Sequence, residues 1–314
     1  MPYTQVANLD FEDIKASLKD YMRAQTDFTD YDFDGSALST LIDTLAYNTY
    51  YTAFNTNMVV NELFIDSATL RDNVVAIAKQ LGYRPKSATS PTAYVSFTVT
   101  YSNPTTDTEL LLKKGTGFIA SYDNNVYQYV VNDDVKAQVI NDVATFTNVE
   151  VKEGTQLVNT FTVNGASKSQ RFILDNPNID TNTIRVKVFP TGGSFSEPYL
   201  VADNILGVDG ASKVFFLDEI EDQRYEILMG DGVLGKKQEN NARIEVSYLT
   251  TAGPESNGVR TFVFSGVLEN PSGVSPSAFT TSIISTTPSA GGEEIESTAT
   301  VSYTHLTLPT TSFV

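Results

Sequence analysis

From Phe11 the apolar residues return every three or four positions, as Phe11, Ile14, Leu18, Tyr21 and Met22, which predicts one apolar helical face. A second helical pattern begins near Ser36, with Asp34 or Ser36 as its cap, and carries Leu38, Leu41, Ile42, Leu45, Ala46, Phe54, Met58 and Val59. Unbroken to Leu63, it would run roughly 40 Å at 1.5 Å per residue. That is long for a globular helix and natural for one in an intermolecular bundle. A third helix is expected after Asp66 or Ser67, with Leu70, Val74, Ile77, Ala78 and Leu81 inward. Gly82 offers it a left-handed cap and Pro85 forbids continuation.

From Ser90 the period drops to two. Ala93, Val95, Phe97, Val99 and Tyr101 alternate with polar positions, as do Ile184, Val186 and Val188, and later Ile244, Val246 and Tyr248. Turn clusters at Tyr122–Asn125, Asn176–Asn178 and Thr191–Gly193 separate such runs. No long helical pattern interrupts Thr92 to Phe264, so antiparallel sandwich or barrel-like sheets are expected rather than a parallel α/β sheet. The fold class read from the chain is α+β, a helical module followed by antiparallel β domains. The expected division is a helical bundle over 1–88, a β domain from 89–132 and 211–268, and a β lobe inserted at 133–210. A Ser/Thr/Pro/Gly-rich linker is expected over 269–300. Ala93–Tyr101 and Arg243–Leu249 are expected to share one sheet.

Composition narrows the chemistry. A net charge of −17 without any Lys/Arg run longer than Lys113-Lys114 or Lys236-Lys237 argues against a nucleic-acid partner. No cysteine is present, which removes disulfides, thiolate metal sites and cysteine nucleophiles. Asp10, Glu12 and Asp13 interrupt any signal-like start, and no run approaches the ~18 apolar residues of a membrane span. The sole histidine, His305, leaves a Ser-His-Asp triad or a zinc site without its parts. Carboxylate pairs for glycoside hydrolysis are available in number, and Glu219, Glu221 and Asp222 cluster, but a solvated acidic loop is the simpler reading. The expectation is no enzyme, no cofactor and no small-molecule substrate.

Two motifs suggest ligands and fail on inspection. Asp30-Tyr31-Asp32-Phe33-Asp34-Gly35 opens like a calcium loop, yet its twelfth position is Leu41, which cannot ligate. Asp34 and Gly35 are therefore expected as a structural turn before the second helix. Gly230-Asp231-Gly232-Val233-Leu234-Gly235-Lys236-Lys237 resembles a phosphate loop, but a strand pattern rather than a helix follows, and Lys237 stands where a hydroxyl is needed. Gly230, Gly232 and Gly235 are expected in a turn or bulge.

Several separated segments keep a common order: Asp32-Phe33-Asp34-Gly35-Ser36, Leu45-Ala46-Tyr47-Asn48, Asn61-Glu62, Leu81-Gly82-Tyr83, Met229-Gly230-Asp231-Gly232, Gly235-Lys236-Lys237 and Ile244-Glu245-Val246-Ser247-Tyr248. Together they resemble the baseplate wedge proteins of contractile-tailed bacteriophages, the larger relatives within the baseplate J-like group. The resemblance spans most of Phe11 to Glu296. It implies assembly rather than catalysis: self-association as a homodimer or higher, contact with other wedge proteins, a ring of wedges around the tail hub, and a part in the change that triggers sheath contraction. It also implies a place in the virion tail baseplate, with assembly in the host cytoplasm. Leu41, Leu45, Tyr47, Phe54 and Met58 are the expected helical-bundle contacts. The rivals are a tail-fibre or adhesin-type binding protein, which should show repeats that this chain lacks, and a virion glycosidase. In the family, the pattern begun by Gly291-Gly292-Glu293-Glu294 leads into further helix and a much longer chain. Val301–Val314 departs from it and looks like translated sequencing-adapter read-through, expected to be peripheral.

Overall fold

A computed structural model describes residues 5–7, 10–25, 36–167, 170–202, 205–276 and 278–307, of which 305–307 by backbone alone. The chain divides into two compact units, Met1–Pro85 with Ser297–Val314, and Lys86–Glu296. The first holds α1 (Phe11–Arg23), α2 (Ala37–Glu62), α3 (Arg71–Gln80) and α4 (Thr298–Thr307). Asp10 caps α1 by accepting the amides of Glu12 and Asp13, and Ser36 caps α2 by accepting that of Ser39. The third helix starts later than its pattern suggests, because residues 64–67 form a separate turn. Its end is a Schellman cap: Gly82 adopts φ +80°, its N–H reaches Lys79 O at 3.0 Å, and Tyr83 N–H reaches Ala78 O at 2.9 Å.

The second unit is two sheets. Its first contains β1 (Thr92–Tyr101), β2 (Glu109–Leu112), β3 (Gly117–Tyr122), β4 (Asn125–Val131), β5 (Val135–Ile140), β6 (Val143–Glu153), β14 (Val263–Phe264), β15 (Leu268–Glu269) and β16 (Phe279–Thr286). The backbone order is β14-β3-β4-β6-β5-β2-β15, and β1 pairs with both β6 and β16. The core carries Phe97 stacked on Phe146 at 4.8 Å between ring centroids, with Phe118 meeting Phe97 edge-on at 5.3 Å. The second sheet contains β7 (Thr155–Thr162), β8 (Phe172–Leu174), β9 (Ile179–Phe189), β10 (Glu197–Val201), β11 (Val214–Ile220), β12 (Arg224–Met229) and β13 (Arg243–Thr250), in the order β7-β13-β9-β10-β11-β12-β8. Every pairing is antiparallel except β10 with β11, and a separate core forms around Leu174, Phe215, Ile227, Ile244 and Tyr248. The α+β architecture, helices first and antiparallel sheets after, is as the sequence pattern indicates.

The partition of the strands is not. Ala93–Tyr101 and Arg243–Leu249 lie in different sheets with different cores, so their expected pairing is corrected. The inserted lobe runs from β7 to β13 rather than over 133–210, because β5 and β6 complete the first sheet while β11, β12 and β13 close the second. Residues 269–300 are not a linker: β16 pairs with β1 from Val95↔Thr286 to Tyr101↔Phe279. The expectation of a peripheral tail is corrected at its start, where α4 buries Val301 completely against Ala68, Val74 and Ala78. Residues 308–314 lie outside the described residues.

The chain crosses between the two sheets twice, at Glu153–Thr155 and at Thr250–Ala252. Glu153 is buried there and accepts the Thr251 hydroxyl at 2.6 Å and the Ala252 amide at 3.0 Å. Gly154 next to it has φ +136°, and a Cβ would stand 2.6 Å from Thr250 O, so no side chain fits. Asp180, fully buried, ties the second sheet to the entry segment by accepting the Ser90 amide at 3.0 Å.

Burial raises the Glu153 carboxyl above its ordinary value, against the lowering effect of its hydrogen bonds to Thr251 and Ala252. A raised folded-state value means that the folded state holds the proton more tightly than the unfolded one. The β unit therefore gains stability from this group as pH falls toward the ordinary carboxyl range, and loses it as pH rises through the raised value. Glu153→Gln keeps an acceptor and should leave neutral-pH stability equal or slightly higher, with a flatter pH profile. Glu153→Leu strands the Thr251 hydroxyl and Ala252 amide and should cost about 1–3 kcal/mol in urea unfolding.

Candidate interaction surface

Helix α2 has its burial inverted. The face packed inside its own unit is small or polar, comprising Ser39, Ala46, Ala53, Asn57 and Asn61 with Ile42 as the one large apolar member. Asn57 is fully buried and holds the N-terminal segment: its Oδ1 accepts Val6 N–H at 2.7 Å and Ala7 N–H at 2.9 Å, and its Nδ2 donates to Ala7 O at 2.9 Å. Asn61 Nδ2 donates to Asn57 O at 2.7 Å, and Lys15 of α1 pairs with Asp43 at 2.6 Å. This side is specified by hydrogen bonds, not by apolar volume.

The large apolar side chains point away from it. Tyr47, Tyr51, Phe54 and Met58 are 45–56% exposed. Their 4-3-4 spacing places them on one line of the helix at about 100° per residue, the spacing of a coiled-coil seam. Tyr47 and Tyr51 meet edge-on at 4.7 Å, and Tyr47 donates to the Tyr51 hydroxyl at 3.0 Å, a bond that also holds the Tyr47 phenol above its ordinary pKa. Leu41 and Leu45 are exposed as well, but with Val59 they form a second line, offset by roughly 120° from the first. Of the bundle contacts expected from sequence, Tyr47, Phe54 and Met58 thus converge, while Leu41 and Leu45 do not. Tyr51 completes the line, and the 4-3-4 spacing is the signal that would have found it.

The end of α2 is fastened to the start of α3. Leu70, at the cap position of α3, supplies no side-chain acceptor, and Glu62 takes that role from the preceding helix. Its carboxylate accepts Thr69 N–H at 2.9 Å, Thr69 Oγ1–H at 2.6 Å, Leu70 N–H and Asn73 Nδ2–H. Partial desolvation pushes the Glu62 carboxyl up, and the hydrogen bonds from Asn73 and Thr69 outweigh it, so its pKa is lowered.

Residues 10–83, which span α1 to α3, match the family described as baseplate wedge protein gp6-like, helical domain. Over 278 residues the chain is 28% identical to baseplate wedge protein gp6 of Enterobacteria phage T4, an alignment that covers 83% of this chain. The chain is thus similar to a phage baseplate wedge protein over most of its own length. It spans 41% of the length of the T4 protein.

Of the remaining candidate residues, Gly230, Gly232 and Gly235 lie in one loop between β12 and β13. Asp34 and Gly35, with the calcium-like motif, lie outside the described residues. In the glycine-rich loop, Gly232 has φ +97° and Gly235 φ +82°, while Gly230 lacks a positive φ but approaches Gly235 so closely that a Cβ would stand 2.2 Å from its carbonyl carbon. Four loop amides already have acceptors: Gly232 N–H on Gly235 O, Val233 and Leu234 N–H on Asp231 Oδ1, and Gly235 N–H on Asp209 O from outside the loop. A strand, β13, follows instead of a helix, so the loop has no helix N-terminus to offer a phosphate. The acidic trio Glu219, Glu221 and Asp222 occupies the end of β11 and the turn into β12, where Arg224 lies 3.8 Å from Asp222. No group of three or more His, Asp or Glu placed to hold a metal occurs among the described residues.

Gly232→Val should lower the melting temperature by several degrees, since a β-branched residue at this φ costs about 1–3 kcal/mol. Gly232→Ala should fall between wild type and Val in a thermal melt, and calorimetric titration of wild type with Mg-ATP should give only heat of dilution.

Proposed function

We propose that the chain is a structural subunit of a phage tail baseplate wedge, which its helical module joins to other chains. The outward line of α2 would pack against helices of a second copy and of other wedge proteins, building the wedge and the ring. The same contacts would let the module take part in the rearrangement that triggers sheath contraction. Assembly would take place in the host cytoplasm, with no nucleic acid, membrane or small-molecule substrate involved. One observation carries this reading: a long helix that buries serine, alanine and asparagine within its own unit and presents Tyr47, Tyr51, Phe54 and Met58 to solvent. Fully burying such side chains is worth about 1.5–3 kcal/mol each, a stabilisation this unit forgoes on its own.

Phe54→Glu with Met58→Glu tests it. Both positions are exposed, so the circular-dichroism spectrum and melting temperature should hold. Self-association by sedimentation, and co-purification with the product of a neighbouring wedge gene, should weaken by about 100-fold or more, the equivalent of roughly 3 kcal/mol. A wild-type chain that stays monomeric and captures no neighbouring wedge protein would overturn the proposal.

A further inference from the structure

Among the described residues five strands end the two sheets, and four of them are protected against further pairing. β8 has three residues, and β14 and β15 two each. β16 is longer but bulged: Phe97 pairs with Ile283 and Ser96 with Ser285, leaving Ile284 without a partner in β1. The fifth, β7, has eight residues, Thr-Gln-Leu-Val-Asn-Thr-Phe-Thr, and pairs with β13 in unbroken register from Thr155↔Thr250 to Thr162↔Arg243. It contains no charge and no proline, in a chain whose net charge is −17. Its far end is closed by Gln170 Nε2, which donates to Thr162 O at 2.7 Å. Among the described residues, that leaves Gln156 to Phe161 as a neutral edge with no strand on its open side.

We propose that β7 pairs with β7 of a second copy, antiparallel about a two-fold axis through Asn159, joining the two second sheets into one. The backbone alternation sets the register. Val163 N–H donates to Ala242 O, so Leu157, Asn159 and Phe161 turn their amides toward β13, and Val158 and Thr160 turn theirs to the open side. Pairing about Asn159 places Val158 opposite Thr160 of the other copy, with both amides and both carbonyls satisfied. On the core face it sets Leu157 against Phe161. Both are half-buried at the rim of the second core, and the partner's side chains would cover what this copy leaves open. Neutrality favours a like copy: two molecules of this net charge repel over most of their surfaces, and this edge brings no like charges together. The proposal does not depend on the α2 surface.

The absence of cysteine makes the register directly testable. Asn159→Cys in the full chain, made on the Phe54→Glu/Met58→Glu background so that helical association is suppressed, should give a covalent dimer as the main product under mild oxidation. Residues opposed as a non-hydrogen-bonded pair stand about 4.5 Å apart at Cα, within disulfide reach. Tyr248 O–H keeps Asn176 as its acceptor at 2.6 Å, so the change should not unfold the edge. Thr162→Cys on the same background would lie about 20 Å from its own copy in this register, and should cross-link at least 10-fold less. Adding Val158→Lys and Thr160→Lys to Asn159→Cys, both on exposed positions, should abolish the product while leaving the melting temperature within a few degrees. Equal cross-linking at 159 and 162, no covalent dimer at 159, or a dimer that survives the two lysines would each overturn the proposal.

Discussion

The β unit depends on a carboxylate kept out of water. Two separate sheets have to be connected by a chain that leaves the first and later returns, and both passages occur at one place. A side chain from the outgoing strand, Glu153, accepts both the hydroxyl and the amide presented by the returning segment. Burying a carboxylate is costly, and only hydrogen bonds of this kind make it tolerable. Gly154 beside it leaves no room for a Cβ, so the two passages run as close as backbone can. With the crossing fixed, the remaining joints follow. Asp180 receives the Ser90 amide, and the hydroxyl of Thr183 accepts Leu249 N–H at 2.9 Å where the ladder between β13 and β9 is irregular.

Much of this was legible in the chain, for reasons that can be named. Helices α1 to α3 announced themselves by period, and the cap of α3 by Gly82. Strands β1, β9 and β13 showed clean alternation, and Asn124 and Asn125 marked a hairpin whose turn residues Asp123 and Asn124 take positive φ. What alternation cannot give is the partner. A strand of Val, Thr, Tyr and Phe looks the same whichever sheet accepts it, so β1 and β13 were paired by their likeness when the real neighbours of β1 are β6 and β16. β16 was lost to composition, since Phe-Thr-Thr-Ser-Ile-Ile-Ser-Thr sits among prolines and glycines. Glu153 and Asp180 were unreadable as joints, because a buried carboxylate differs from a surface one only by what lies around it.

The helical module shows the converse. The inner face of α2 is held by amide groups on Asn57 and Asn61, whose hydrogen bonds fix one arrangement where apolar contacts would allow several. The apolar residues that a self-sufficient bundle would turn inward face out. A reading of hydrophobic period alone finds the helix, yet cannot say that the stripe it detects faces away from its own unit; only the pairing of Asn57 with the backbone of Val6 and Ala7 reveals which side is inside. Glu62 then couples the end of this helix to the next, so that a load on α2 would be passed to α3 through a set of charge-assisted hydrogen bonds.

The second sheet begins and ends on neighbouring strands: Thr155 lies directly opposite Thr250 in the ladder of β7 and β13. Everything between them folds around its own core and returns the chain to where it left. Such a lobe is a cassette. Its two ends are close enough for a short turn to replace it, and a different domain with adjacent termini could be spliced in without disturbing the sheet below. The geometry offers a position at which a whole surface could be exchanged, while Glu153 and the first sheet stay as they are.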